Sequence, residues 1–144
     1  AIMGRLFLAV IVIGAVAVHQ AIPPPKDIGT GDEQLFISIH TNQPYVNRSV
    51  EEEMEIKNYS SLLGKVDKLK AVNLFDFTDY QFFLLNAKCS KVKSYIKDVV
   101  RNTKHVDSAI VTCAPKNRKT NYTEDTFFIT KDNITTIQRK YDGV

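Results

Sequence analysis

Between Gly64 and Pro115 the chain runs for fifty residues without a glycine or a proline. A β-meander over that span would need about four turns, and turns favour Gly, Pro, Asn or Asp. The segments Asp76–Asp79 and Arg101–Asp107 could supply two such turns, but not four. The span therefore favours helix, and we predict one helix over about residues 79–101.

The stretch Phe82–Asp98, FFLLNAKCSKVKSYIKD, supports this helix by its periodicity. At 100° per residue the lysines fall on one side and the apolar residues on the other. The apolar side contains Phe82, Leu85, Cys89, Val92, Ile96, Val99 and Val100. A strand is the alternative, since Lys91, Lys93 and Lys97 also recur at period two. Period two leaves Phe82–Leu85 without alternation, so we prefer the helix.

A second helix is predicted earlier in the chain, over about residues 50–70. Ser49-Val50-Glu51-Glu52 has the form of a capping box, and acids here suit the positive end of a helix dipole. Apolar residues then recur at helical spacing as far as Leu69. Gly64 lies inside this span and could mark a break.

Short segments rich in β-branched and aromatic residues predict strands on either side of these helices. The first is Phe36–His40, followed by a turn at Thr41–Pro44. Three more, at about 109–113, 126–130 and 134–140, predict an antiparallel meander. The pattern as a whole predicts an α+β fold, with one or two helices packed on a small antiparallel sheet.

The N-terminus predicts secretion. Arg5 is followed by Leu6–Val18, a thirteen-residue apolar run that has the length of a signal-peptide core and is too short to span a bilayer comfortably. Ala15-Val16-Ala17 offers the small residues that signal peptidase needs. We assign 1–20 to a signal peptide with upstream residues, 21–34 to a flexible leader, and 35–144 to a single secreted domain without a membrane span.

Two further features suit an extracellular protein. Cys89 and Cys113 are the two cysteines of the chain, and in an oxidising compartment they should form a disulfide bond. Four N-x-S/T sequons predict N-glycosylation, at Asn47, Asn58, Asn121 and Asn133.

The sequence carries no HExxH, CxxC, GxSxG or P-loop pattern. His40 and His105 could pair with Asp107 or Glu33, but two separate surface histidines are the simpler interpretation. The loop Lys116–Lys119 is basic, yet a net charge of +3 is far below that of a nucleic-acid-binding protein. We predict a protein that is not an enzyme and has no metal, no cofactor and no nucleic-acid partner.

The candidate ligand-binding residues are four aromatic side chains, Phe75, Phe77, Tyr80 and Phe83. Such a cluster is more often core. Our first hypothesis is a secreted, N-glycosylated, non-enzymatic protein that sequesters a small hydrophobic or amine ligand, or that engages an extracellular host or partner protein. The alternative is a protease-inhibitor scaffold of cystatin-like architecture, although the Q-x-V-x-G hairpin and any tryptophan are missing.

One short segment carries a resemblance to a known family. Ala71-Val72-Asn73, followed by DYQFFLLNA at Asp79–Ala87, resembles the opening of the salivary lipocalins of blood-feeding arthropods, ticks in particular. In those proteins a short helix with a KALN-like end precedes a first barrel strand of YFLL type. The resemblance implies a salivary protein that holds amines or lipids. It also implies the alternative fold, a lipocalin-like all-β barrel that is possibly incomplete.

Overall fold

The structure is a computed structural model that describes residues 21–118 and 121–142. The predicted signal peptide, 1–20, lies outside the described residues. The elements are β1 (Glu33–Pro44), a single-turn 3-10 helix (Tyr45–Asn47), α1 (Val50–Ser60), β2 (Lys65–Leu74), β3 (Phe77–Ala87), α2 (Cys89–Asn102), β4 (Val106–Pro115), β5 (Tyr122–Thr130) and β6 (Ile134–Tyr141).

The six strands form one antiparallel sheet in the order β2-β3-β1-β4-β5-β6. The long strand β1 lies in the interior of the sheet, between β3 and β4. Helix α1 connects β1 to the edge strand β2, and α2 connects β3 to β4. Within the described residues β2 and β6 stay at opposite ends, so the sheet is open. The predicted small α+β fold is confirmed, and the alternative of a closed barrel is wrong.

The predicted helix over 50–70 is correct only in its first half. Ser49 caps α1, because its side-chain oxygen accepts a hydrogen bond of 3.1 Å from the amide of Glu52. The helix ends at Ser60, and residues from Lys65 onward pair with β3 instead. Gly64 marks the change, because a Cβ there would come within 2.6 Å of the Leu85 carbonyl oxygen.

The predicted helix over 79–101 is wrong in its first half and correct in its second. Residues 77–87 form β3, where Tyr80, Phe82 and Leu84 alternate toward the core between β1 and β2. Because β3 pairs with β1 on one side and with β2 on the other, its backbone groups find partners on both sides. Helix α2 then begins at Cys89.

The turn that joins β2 to β3 lies next to one of the two segments, Asp76–Asp79, where the sequence allowed a turn. Leu74 pairs with Phe77, so only Phe75 and Asp76 form the loop. Both residues have positive φ, of 52° and 74°, as a type I′ hairpin turn requires. The side chain of Asn73 supports the turn by accepting a hydrogen bond of 2.9 Å from the Asp76 amide. A turn of this type without glycine gives no signal in a search for Gly or Pro.

Charged side chains from the sheet hold both ends of α2. The Glu33 carboxylate of β1 accepts a hydrogen bond of 2.9 Å from the Cys89 amide at the start of the helix. At the other end, the Lys131 ammonium donates to the Val100 and Thr103 carbonyl oxygens, at 2.6 and 3.1 Å. An anion at the N-terminus and a cation at the C-terminus both favour the helix dipole.

The C-terminal meander is confirmed, since β4, β5 and β6 contain the three predicted strands. The predicted turn at Thr41–Pro44 is wrong, because these residues continue β1. The Thr41 side chain is buried there and donates a hydrogen bond of 2.8 Å to the Thr78 carbonyl oxygen.

Both helices pack on one face of the sheet, which we call the inner face. The core joins Ile56 of α1 and the apolar side of α2 to alternate residues of the strands. The inner-face residues of the strands include Leu35, Ile37, Ile39, Tyr80, Phe82, Leu84, Ala109, Val111, Cys113, Phe127 and Ile129. The disulfide Cys89–Cys113, with a Cα–Cα distance of 6.0 Å, joins the first residue of α2 to β4. This is the pairing predicted from the sequence.

The segment predicted as a flexible leader lies against the domain. Ile22 is 1% exposed within the core, and its amide donates a hydrogen bond of 3.2 Å to Glu55. Further along, the amides of Gly29 and Gly31 donate to the carbonyl oxygens of Leu62 and Asn86. Residues 33 and 34 belong to β1, so the ordered domain begins earlier than residue 35.

Candidate functional site

The sheet face turned away from α1 and α2, which we call the outer face, carries large apolar side chains. Phe83, Ile110, Phe128 and Ile137 are exposed by 41%, 37%, 37% and 49%. Phe36 lies beside Phe83, with 5.2 Å between their ring centroids. We call these five residues the apolar patch. It extends over five neighbouring strands, and exposed patches of this kind mark interaction sites.

The pairing registers place the five patch residues in two neighbouring rows of the sheet. Phe83 lies opposite Phe36, and Ile110 lies opposite Phe128 in the next row of the sheet. Thr112 and Thr126 separate Phe36 from Ile137, and their hydroxyl oxygens are 3.1 Å apart and share a hydrogen bond. One hydroxyl donates to the other, so the pair satisfies one of its two O–H donors within the sheet.

A polar cluster borders the patch on the outer face. The Asp79 side chain, 2% exposed, accepts hydrogen bonds from the Ser38 hydroxyl at 2.7 Å and the Gln81 amide at 2.8 Å. Nδ1 of His40 lies 3.6 Å from the other Asp79 oxygen. Ser38 donates its proton to the carboxylate and not to the imidazole, so these residues do not form a nucleophilic triad. The Ser38–Asp79 hydrogen bond in this cluster joins β1 to β3 on the outer face.

A second polar cluster lies on the inner face. Glu52, at the start of α1, is 1% exposed and accepts a hydrogen bond of 2.7 Å from the Tyr80 hydroxyl. Its other oxygen contacts Nε2 of His105, which precedes β4. The three side chains therefore tie α1 to the sheet and to the end of the α2–β4 connection. Buried polar groups with such partners specify one arrangement of the elements that carry them.

The buried phenols predict a loss of stability at alkaline pH. Burial raises the pKa of Tyr80 and of Tyr95 above the ordinary value of about 10, and the Glu52 charge raises that of Tyr80 further. Above that pH the unfolded chain releases two protons that the folded protein holds, so stability present below about pH 10 falls as pH rises. Urea denaturation from about pH 8 to about pH 11 measures this slope, which is the change in the free energy of unfolding per pH unit. A Tyr80→Phe/Tyr95→Phe variant should show a smaller slope, and an unchanged slope would contradict the assignment.

A cleft of about 540 Å³ opens at the end of the sheet where β5 begins and β6 ends. The Tyr122 and Tyr141 rings stack in its wall, with centroids 5.0 Å apart. Glu33, Asp125, Lys140 and Asp142 also line it, so its rim carries charges of both signs. The cleft is open to solvent and lies apart from the apolar patch.

A comparison with protein-family models matches residues 36–120, more than half of the chain, to the secreted clade V proteins. The chain belongs to this family. Because the family is one of secreted proteins, the predicted extracellular localisation is confirmed. No curated protein and no solved structure matches the chain. Among the helices of the described residues, none is long and apolar enough to cross a membrane.

The segment that matches the secreted clade V family begins in β1 and ends after β4. It therefore contains both helices, the disulfide and both polar clusters. It also contains three of the five patch residues, Phe36, Phe83 and Ile110, whereas Phe128 and Ile137 follow it.

The structure does not bring the four predicted ligand-binding residues of this family member together. Phe77 and Phe83 share the outer face, but two rows of polar residues, at Asp79 and Gln81, separate them. Tyr80 points the other way, into the core. Phe75 is 85% exposed at the tip of the β2–β3 turn. These residues therefore do not line one pocket.

The two histidines lie on opposite faces of the sheet and contact different acids from those proposed. His40 faces Asp79 and His105 contacts Glu52, with side chains 34% and 17% exposed. Glu33 caps α2, and Asp107 accepts a hydrogen bond from Asn42. The two histidines are therefore separate, and both side chains remain partly exposed, His40 more than His105.

Sequence reasoning missed Phe36, Ile110, Phe128 and Ile137 as surface residues. A signal was present, because Ala109-Ile110-Val111 and Phe127-Phe128-Ile129 are unbroken apolar runs. A strand with one solvated face normally alternates apolar and polar residues. An unbroken run in a meander therefore indicates that both faces are apolar.

The four predicted glycosylation sites are all exposed and all lie outside the strands. Asn47 ends the 3-10 helix and Asn58 lies in α1. Asn121 precedes β5, and Asn133 lies in the β5–β6 turn. N-glycans at these positions would leave the centre of the outer face bare.

Proposed function

We propose that this member of the family is a secreted, non-enzymatic binding protein that engages another extracellular protein through the outer face of its sheet. The observation that carries the proposal is the apolar patch, in which five large side chains on five strands stay partly exposed. Exposed apolar patches are a common feature of protein interaction sites, and this supports the outer face as the binding surface.

The shape of the patch favours a protein over a small molecule. Small ligands are bound in concave sites that enclose most of their surface. The patch instead follows the strands across the sheet from Phe83 to Ile137. Aromatic side chains such as Phe36, Phe83 and Phe128 are also the type that anchors protein interfaces.

The chemistry of the two polar clusters supports a role without catalysis. In the outer cluster the Ser38 hydroxyl and the Gln81 amide are both committed to Asp79. In the inner cluster Glu52, a residue of α1, is buried between the helix and the sheet, out of reach of a substrate. In the described part of the chain, no three His, Cys, Asp or Glu side chains are grouped so that they could hold a metal ion.

Surface variants with matched controls test this proposal. In the test variant, Phe83→Ser and Phe128→Ser remove two patch anchors from the outer face. In the control, Val46→Ser and Val50→Ser change side chains that are 83% and 66% exposed beside and within α1. Each is immobilised and exposed to extracellular fluid, and captured proteins are quantified by mass spectrometry. We expect a partner that the wild type and the control retain equally and that the patch variant retains at least about tenfold less.

Equal capture by all three proteins would contradict the proposal. Circular dichroism of each variant shows that the fold is intact, so that a loss of binding reports on the surface. Titration of the identified partner then gives the change in Kd for each patch residue separately.

The cleft beside Tyr122 and Tyr141 favours a second candidate function, the sequestration of a small ligand. An amine could bind between the stacked rings and the carboxylates of Glu33, Asp125 and Asp142. An amine is also what the salivary lipocalin resemblance implies. Native mass spectrometry of the secreted protein, with and without Tyr141→Ala, tests this function.

The cystatin-like inhibitor scaffold stays a prediction, and an inhibition assay with a papain-like protease tests it.

A further inference from the structure

The two edges of the sheet differ in how open they are to another strand. The β2 edge is protected: a register shift lies between Asp67 and Lys70, and Lys68 within it has a φ of 57°. Lys65 adds a third lysine, and α1 and the 3-10 helix both contact this strand. Charge, a bulge and a covering element are the devices by which proteins block pairing at an edge.

The β6 edge has no bulge and, among the described residues, no covering element, and the charged residues of the strand, Arg139 and Lys140, lie together near one end. Its eight residues, ITTIQRKY, pair with β5 in one unbroken register from Ile134 to Tyr141. The strand contains neither proline nor glycine, and among the described residues no element lies along its free side. Its free backbone N–H and C=O groups therefore form a template for one more strand.

The charges along this edge identify the strand that it fits. Asp132 lies just before β6, while Arg139 and Lys140 lie near its end, and all three are exposed. An antiparallel copy of the same edge reverses this order. We propose that β6 pairs antiparallel with β6 of a second copy of this chain, with Thr136 opposite Thr136 and Lys140 near Asp132 in the β5–β6 turn of the other copy.

The charges also select this register over its neighbour. If the two-fold axis moved by one position, to Ile137, Asp132 would instead come near Asp142 of the other copy, so the acids just beyond the two ends of β6 would face each other. In the proposed register Ile137 lies opposite Thr135, and Gln138 lies opposite Ile134. Side chains that lie opposite each other in the two copies point to the same face, so the inner and outer sides of the sheet stay continuous.

This inference is independent of the proposed function, but it adds to it. A two-fold axis perpendicular to the sheet places the two outer faces side by side on one surface. The two apolar patches then meet at Ile137, which is 49% exposed in the single chain.

Sedimentation velocity of the secreted protein tests the dimer. We expect a dimer at micromolar concentrations. Lys140→Asp places two acids opposite each other at both ends of the seam and should weaken dimerisation about tenfold. Asp132→Lys together with Lys140→Asp restores opposite charges and should restore the wild-type Kd. A protein that stays monomeric to about 100 µM, or a double variant no better than Lys140→Asp, would overturn the proposal.

Cysteine cross-linking tests the register separately. A disulfide needs Cα atoms within about 7 Å. Thr136→Cys lies on the two-fold axis and should give a covalent dimer under mild oxidation. Gln138→Cys lies on the same face of β6 but opposite Ile134 of the other copy, four residues from the second cysteine, so it should not form a covalent dimer. Equal cross-linking at both positions would indicate random collision and would overturn the register.

Discussion

Replacing Glu52 with alanine is expected to lower the free energy of unfolding by about 3–5 kcal/mol. The carboxylate is 1% exposed and accepts the hydrogen bond of the buried Tyr80 hydroxyl. Its removal leaves that hydroxyl and the His105 imidazole without a partner in the core. It also releases the start of α1 from the sheet. Urea denaturation followed by circular dichroism measures the change.

Glu51→Ala is the matched control for this prediction. Glu51 lies in the same first turn of α1, but it is exposed. Its loss removes one favourable charge from the helix N-terminus and should cost less than about 1 kcal/mol. A double-mutant cycle of Glu52→Ala with Tyr80→Phe should give a coupling of about 0.5–3 kcal/mol. Equal losses for Glu51→Ala and Glu52→Ala would show that the inner polar cluster has no stabilising role.

Removal of the disulfide is expected to destabilise the protein by about 3 kcal/mol. Cys89 and Cys113 are 24 residues apart, and the loop that they close restricts the unfolded chain. We expect the Cys89→Ala/Cys113→Ala variant to unfold at a correspondingly lower urea concentration. Hydrogen exchange should also increase at the first turn of α2, which the disulfide anchors to β4.

Reducing agent provides the control for the disulfide prediction. Dithiothreitol should lower the urea midpoint of the wild type and should leave the midpoint of the double variant unchanged. A double variant as stable as the oxidised wild type would mean that contacts around Leu35 and Val92 hold α2 on the sheet without the bond.

Those parts of the fold that depend on neighbours in sequence could be predicted. The start of α1 follows from Ser49, the body of α2 from its 3.6-residue period, and the meander from strand-like segments separated by turn residues. The disulfide bond could be predicted because a secreted protein with two cysteines folds in an oxidising compartment. Each of these signals lies within a few residues of the element that it specifies.

The rest depended on partners far away in the chain. The segment 77–87 becomes a strand because β1 and β2 pair with it on both sides, and periodicity within the segment does not reveal them. Glu33 in β1 and Lys131 in the β5–β6 turn hold the ends of α2 although both are distant from the helix in sequence. The four glutamates around α1 likewise look equivalent in the sequence, and only the position of Tyr80 distinguishes Glu52 from the others.

The candidate site was missed for the same reason. A patch across neighbouring rows needs the registers of four strand pairs, and no local signal provides them. The aromatic residues selected from the sequence were neighbours in the chain, and Phe75, Phe77, Tyr80 and Phe83 ended in a turn, on the outer face and in the core. The unbroken apolar runs in β4 and β5 were the better guide.

The position of β1 has a consequence for how the protein is made. Its partners are β3, which ends at Ala87, and β4, which ends at Pro115. As the chain is synthesised, the apolar segment from Leu35 to Ile39 therefore emerges long before either partner exists. Such non-local pairing folds slowly and leaves an aggregation-prone strand exposed in the meantime. We expect production of the protein to depend on chaperones that hold this first strand until the centre of the sheet can close around it.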